Sequence, residues 1–390
     1  MSFTTATIGD IASVQTGPFG SQLHNKDYVS VGTPIVTVEH LGQRKMTRQN
    51  LPCVSDSDKD RLSKYTLEYG DLVFSRVGSV DRCSWVSEEE DGWMFSGRCL
   101  RVRSNNPAEV YHKYLYYFFN LESTKDFVRN VAVGATMPSI NTRLLSEVPI
   151  SFPGVEAQRQ IGDILSALDD RIEENTKINH HLEQIAQAIF KSWFVDFEPW
   201  GCVMPDDWRE TELGEVATLS AGGDKPAVSS PTLTDECQVP IFSNGIDNFG
   251  LYGYTDRPKI TDECVTVSAR GTIGYVCLRQ DPFVPIVRLV TVIPNNKFIT
   301  AKYLYLYLSS IHITGVGTTQ QQLTVPDFKK YRILVPNRNA VESFTQTVDP
   351  MFEAIRHKRA ENECLATSRN ALLPRLMSGE LSVADLGDAK

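Results

Sequence analysis

Two stretches of the chain place apolar residues at alternating steps of four and three. The first is Ile161, Leu165, Leu168, Ile172, Asn175, Asn179, Leu182, Ala186, Ile189 and Trp193. That spacing is a heptad seam and predicts a long helix packed along a partner. Adding 183 to each number gives Phe344, Val348, Met351, Ile355, Lys358, Asn362, Leu365, Arg369, Leu372 and Leu376. A matched register at two distant places predicts that the two helices pack on each other. Gly162 is the one weak position early in the first. Pro350 is expected to kink or delay the second, because proline removes a helical hydrogen bond. The seam also carries polar residues. If the helices pair antiparallel about a pseudo-two-fold, Asn175 meets Asn362 and Asn179 meets Lys358, a layer that fixes register at a cost in stability.

The regions before the helices repeat as well. Ile8-Gly9-Asp10-Ile11-Ala12 parallels Leu213-Gly214-Glu215-Val216-Ala217, and Lys113-Tyr114-Leu115-Tyr116 parallels Lys302-Tyr303-Leu304-Tyr305. GATMPSINTRLLSEVPISFP at 134–153 parallels GTTQQQLTVPDFKKYRILVP at 317–336. Each copy reads as strands, a helical Tyr/Leu segment, a Gly-led polar loop and a β-rich exit ending in proline. The aromatic stripes Tyr114, Tyr116, Tyr117, Phe118, Phe119 and Tyr303, Tyr305, Tyr307 are expected to face the core. The division that follows is 1–155, a globular unit; 156–198, a helix; 199–341, a second unit; and 342–390, a second helix and tail. The fold class is α+β: two mixed α/β units joined by two long coiled-coil helices, related by an internal pseudo-two-fold repeat.

The 390 residues are 41% hydrophobic and 22% charged, enough for real cores. No apolar run approaches the roughly 18 residues of a membrane span. The start lacks a basic, then apolar, signal pattern, so a cytoplasmic protein with no membrane partner is expected. The eight cysteines include no CxxC pair and the seven histidines no HxxxH, which argues against a zinc site. Chemistry is equally hard to find. Gly-Lys never occurs, so no Walker-type phosphate loop is present. There is no GxSxG elbow, no Glu-x-Lys and no Pro-Pro. Pro205-Asp206-Asp207 reads as a loop. An enzyme with an unfamiliar active site and a scaffold that binds only proteins remain open at this point.

Several segments resemble the specificity subunits of type I restriction–modification systems, in order and twice over. They are IGDIASVQTGPFGSQL (8–23), GTPIVTVEHL (32–41) and FSRVGSV (74–80) in the first copy. The second offers LGEVATLSAGG (213–223), FSNGI (242–246), SARGTIGYV (268–276) and GTTQQQLT (317–324). The helix segments AQRQIGDILSALDDRIEENTKIN (157–179) and NALLPRLMSGEL (370–381) are similar too. The resemblance implies a non-catalytic subunit without a cofactor of its own. Each globular unit would be a target recognition domain that reads one half of a bipartite site in double-stranded DNA. The helices would be an antiparallel spacer that docks two methyltransferase subunits, and restriction and translocase subunits would join for cleavage. S-adenosylmethionine, ATP and magnesium would belong to those partners.

The net charge of −9 is unusual for such a role. Residues 1–155 carry −1 and 198–341 carry −2, whereas 156–197 carry −4. Residues 377–390 carry −2, so the acidity sits mostly on the first helix and the tail, and weak binding to DNA without partner subunits is expected. Reading bases needs Arg or Lys for guanine, Asn or Gln for adenine, and Ser or Thr for either, presented on exposed loops. In the first copy the candidates are Ser21, Gln22 and Lys26; Arg76, Ser79 and Arg82; and Thr136, Ser139, Asn141 and Arg143. The basic run Arg44, Lys45 and Arg48 suits phosphates, or a solvated hairpin. In the second copy they are Lys225, Asn244, Arg270, Thr272, and Thr318, Thr319, Gln320, Gln321 and Gln322. Gly78 matches Gly271, which aligns Arg76 with Ala269. His40 reads as a packed histidine.

Overall fold

The computed structural model describes residues 2–42, 44–315 and 321–383. It divides into two compact units, residues 1–174 with 361–390, and residues 175–360. Both units are built alike.

In the first unit a four-stranded antiparallel sheet runs in the order Ala12–Thr16, Cys99–Ser104, Leu72–Ser75, Cys83–Trp85. Leu72–Ser75 is buried throughout, which suits its unbroken apolar run in a central position. The helix His112–Asn120 lays Tyr114, Tyr117 and Phe119 into the same core as Leu72, Phe74 and Leu100. A smaller sheet contains a parallel pair, Thr33–Val36 with Met94–Phe95. Thr4–Thr7 pairs with Pro149–Phe152 and closes the unit.

The second unit repeats this plan. Its four-stranded sheet runs Ala217–Ala221, Val290–Pro294, Cys264–Val267, Val276–Arg279. Its parallel pair is Val239–Phe242 with Val284–Pro285, and Arg209–Glu212 pairs with Arg332–Val335. Tyr303 is fully buried, while Tyr305 and Tyr307 are half-buried. The stripes face cores, as their spacing predicts.

The long helices are Val155–Phe194 and Arg338–Ser378. All twenty seam positions are buried or half-buried. In the first unit Ile161 and Leu165 share a core with Leu373, Leu376 and Met377. In the second, Ala186, Phe190 and Phe194 share one with Phe344, Val348, Phe352 and Ile355. The pairing is antiparallel within the first unit, where Arg369 meets Asp169 and Glu361 meets Arg171. Gly162 is where the helix meets its own unit: a Cβ there would come 3.1 Å from Lys113 Cβ and Tyr114 N.

Two expectations need correction. Pro350 does not delay the second helix, which starts at Arg338 and passes through it. Pro350 is exposed, so its missing N–H lies on the wet side of the helix. The start is capped by Asn337, whose Oδ1 accepts from Ala340 N at 2.9 Å. In the polar layer the partner of Lys358 also differs from the one expected. Lys358 Nζ donates to Asn175 Oδ1 at 3.0 Å, one helical turn from the Asn179 expected, and Asn362 Nδ2 donates to the Ile172 carbonyl at 3.3 Å. Asn179 is left with a buried Oδ1 that accepts no hydrogen bond among the described residues. An unsatisfied buried acceptor costs about 1–3 kcal/mol. Asn179→Leu is therefore expected to raise the melting temperature by several degrees; a lower one would show that the amide holds the helices through its other atoms.

Candidate nucleic-acid interface

In the first unit the three candidate loops converge on Arg76. Its carbonyl accepts from Ile140 N at 2.9 Å, and Gly78 N donates to Pro138 O at 2.8 Å, so the 76–82 and 134–143 loops are zipped together. The guanidinium donates from Nη1 to Gly97 O at 3.1 Å and lies 6.0 Å over the ring of Phe19, in the first loop. Arg76 is half-buried and built into this junction, while Ser21, Lys26, Ser79, Arg82, Thr136 and Arg143 are exposed around it. Gln22 offers less than expected, because its Oε1 accepts from Tyr65 Oη at 2.9 Å and from Phe19 N. Asn141 is a helix cap that accepts from Leu144 N at 2.9 Å, and Ser139 donates to Val133 O. His40 is fully buried, with Nδ1 accepting from Thr37 N at 3.0 Å.

The basic run is engaged within the protein. Arg44 Nη2 lies 2.5 Å from Asp170 and 2.8 Å from Glu173, with its side chain 9% exposed and stacked over Trp85. Burial opposes its charge, but the two carboxylates prevail and hold its pKa above the ordinary arginine value. Lys45 pairs with Glu173 at 2.8 Å, and Arg48 with Glu89 at 2.5 Å. Lys113 likewise reaches Asp163 at 3.0 Å. The acidity of the first helix thus has a local use: it fastens the globular part of this unit to the helix. Arg44→Ala should destabilise the unit by about 1–2 kcal/mol, since it removes a largely buried, stacked cation whose carboxylate partners are an exposed Asp170 and a Glu173 that keeps Lys45. It should leave the dependence of DNA affinity on salt unchanged; a shallower dependence would make Arg44 a phosphate contact.

In the second unit the equivalent junction is held by an amide. Asn244 Oδ1 accepts from Ala269 N at 2.8 Å, and its Nδ2 donates to Val287 O at 2.6 Å. Ser268 Oγ donates to the Asn244 carbonyl at 3.1 Å. With one bond from Nδ2 and one to Oδ1, the Asn244 amide latches these loops to each other. Leu323 N donates to Ala269 O at 3.0 Å, the counterpart of the Ile140 to Arg76 bond. That bond bears out the alignment of Arg76 with Ala269. It also places Arg270 opposite Val77, and Gln322 opposite Ser139. Arg270 Nη2 donates to Gln322 Oε1 at 3.1 Å, with Arg270, Thr272 and Gln321 exposed beside them. Lys225 lies 5.2 Å over the ring of Tyr252. Thr318, Thr319 and Gln320 lie outside the described residues. Two exposed arginines at these junctions, Arg98 and Arg288, escape a search confined to Gly-led loops.

Among the described residues no group of His, Cys, Asp or Glu could hold a metal ion, and no helix is long and apolar enough to cross a membrane. A family model described as "Type I restriction modification DNA specificity domain" matches residues 2–184 and 205–362. The chain is similar to the type I restriction enzyme MjaIX specificity subunit of Methanocaldococcus jannaschii, 27% identical over 71% of either chain. It is also similar to the HindI specificity subunit of Haemophilus influenzae, 24% identical over 82% of this chain and 88% of that one. The fold is similar to a crystal structure of the type I S subunit from M. genitalium, with a TM-score of 0.63, 15% identity and 96% of both chains covered.

Proposed function

The chain belongs to the type I restriction–modification DNA specificity family, and from that premise we propose how its two halves divide the work. It is the non-catalytic subunit that gives a methyltransferase and restriction complex its DNA sequence. Residues 1–155 read one half of a bipartite site in double-stranded DNA and residues 199–341 read the other. The stretches 156–198 and 342–390 set the gap between halves and dock two methyltransferase subunits; restriction and translocase subunits join that core. S-adenosylmethionine, ATP and magnesium act on those partners, in the cytoplasm.

The observation that carries this reading is the matched pair of junctions. Each unit brings three loops to one place with the same backbone bonds, Ile140 to Arg76 in one and Leu323 to Ala269 in the other. The side chains on that common frame differ: Arg76 and Ser139 against Ala269 and Gln322, and Val77 against Arg270. One frame with two sets of side chains is what reading two different sequences requires. The exposed readers are Ser21, Lys26, Ser79, Arg82, Thr136 and Arg143 in the first unit, and Lys225, Arg270, Thr272 and Gln321 in the second, where half-buried Gln322 holds Arg270. Mapping methylated adenines in DNA from cells that carry the whole system tests the reading. Two short specified sequences around a fixed unspecified gap are expected. A continuous motif, or none, would overturn it.

A further inference from the structure

We propose that Arg98 and Arg288 are repeat-matched phosphate contacts, one clamping the DNA backbone at each half-site. The inference rests on the reading of the chain as a DNA specificity subunit and adds which residues hold the duplex irrespective of sequence.

Backbone bonds establish the equivalence. Ser96 N donates to Val36 O at 2.8 Å, and Ile286 N donates to Phe242 O at 2.9 Å. Cys99 N donates to Ser96 O at 2.9 Å, and Leu289 N to Ile286 O at 3.1 Å. Gly17 N donates to Cys99 O at 3.2 Å, and Gly222 N to Leu289 O at 2.9 Å. These three pairs align Ser96-Gly97-Arg98-Cys99 in register with Ile286-Val287-Arg288-Leu289. Of the four positions only the arginine is the same in both.

Each arginine sits on a turn that the rest of its unit holds firmly. Glycines 17 and 222 let the turn approach: a Cβ at Gly17 would lie 2.2 Å from Ser96 O, and one at Gly222 2.8 Å from Ile286 N. A side chain from the reading junction grips the carbonyl just before each arginine. It is Arg76 Nη1 on Gly97 O in the first unit and Asn244 Nδ2 on Val287 O in the second. In the second unit Val287 and Arg288 are left-handed, with φ of 52° and 61°. That conformation is costly for a β-branched residue and persists only where surroundings impose it. Val287 N to Gly223 O and Arg288 N to Gly222 O, at 2.9 and 3.0 Å, impose it. The side chains themselves are exposed, and neither is ion-paired among the described residues.

The chemistry follows from comparing the two copies. Two half-sites of different sequence share only the geometry and charge of the sugar–phosphate backbone. Phosphate contacts fix register and carry no sequence information directly. A residue that differs between matched positions can read bases. One that is kept while its neighbours differ serves what the halves have in common. A free guanidinium, fixed beside the reading loops, is suited to an anionic oxygen pair.

The test uses the chain assembled with its methyltransferase subunits, a duplex carrying the mapped motif, and a scrambled duplex, titrated by fluorescence anisotropy at several salt concentrations. Arg98→Ala and Arg288→Ala should each weaken binding to both duplexes by the same factor. Each should reduce the slope of log K against log salt by about 0.9. Neither should change the methylated motif or the melting temperature. Arg98→Lys and Arg288→Lys should restore most of the slope. An unchanged slope would overturn the proposal, as would weakening confined to the motif duplex, which would make the arginines base readers. A wild-type complex that did not prefer its motif over the scramble would instead fail the underlying reading.

Discussion

Replacing residues 1–155 with the corresponding stretch of another specificity subunit should exchange one half of the methylated motif and leave the other half untouched. Every reading loop of the first unit lies inside that stretch, and so do the bonds that assemble its junction: Ile140 to Arg76, Gly78 to Pro138, Arg76 to Gly97. The second unit has its own sheets and its own core, built around Val265, Val292, Tyr303 and Phe344. No part of that core is altered by the exchange. The structure adds a condition. The first unit ends within the long helices, and the exchanged part is fastened to them by Arg44 on Asp170 and Glu173, Lys113 on Asp163, and Tyr117 on Asp169. A donor with cations at the positions of Arg44 and Lys113 should give a stable, active hybrid. A donor lacking them should lose up to about 1 kcal/mol for each of these partly exposed ion pairs and yield less methylation of the hybrid motif. Methylated-adenine mapping reads the result. A change in both halves would mean that the two units do not read independently.

Much of this architecture is legible in the sequence because periodicity reports burial. The heptad seam marks one face of each helix, and that face is the one covered. Internal repetition reports topology, since two copies of one motif order must fold alike. Partnership is less legible. Arg44, Lys45 and Arg48 look like a phosphate-binding run because a sequence shows the charges of one loop and not the carboxylates that folding sets opposite. Asn244 has the right chemistry for adenine, but its amide completes backbone bonds to two other loops, a use that only the folded loops reveal. The lysine at position 358 is long enough to reach an asparagine one turn from the neighbour its spacing suggests. Spacing gives a side chain's face, and its length and flexibility then choose the partner. The start of the second helix is legible in Pro336-Asn337, a recognisable cap signal, while Pro350 looks like a stop only until its exposed side of the helix is known. Arg98 and Arg288 stayed hidden for the opposite reason, because the residues around them differ and leave no motif to align.

Inserting one heptad between Glu174 and Asn175 and another between Ala360 and Glu361 should lengthen the unspecified gap while leaving both half-site sequences unchanged. Those two points are where the chain passes from one compact unit to the other, so both lie within the long helices and outside either unit's globular part. The reading junctions at Arg76 and Ala269 are remote from them in sequence and keep every bond. Seven residues add about 10.5 Å of helix at 1.5 Å each, equal to about three base pairs at 3.4 Å. They also preserve the seam: a heptad turns a straight helix by only about 20° from its starting phase, so apolar positions still face apolar positions. The duplex is less accommodating. Three base pairs turn it by about 100°, given 10–10.5 pairs per turn, so the new half-site presents its major groove at a different angle. The variant complex should therefore bind more weakly than wild type and, where it methylates, do so at sites whose gap is about three base pairs longer. Sequencing the methylated sites gives the gap directly, and anisotropy on duplexes of graded gap gives the affinity. A variant that folds, assembles and methylates with the original gap would show that the methyltransferase subunits, and not these helices, hold the two readers apart.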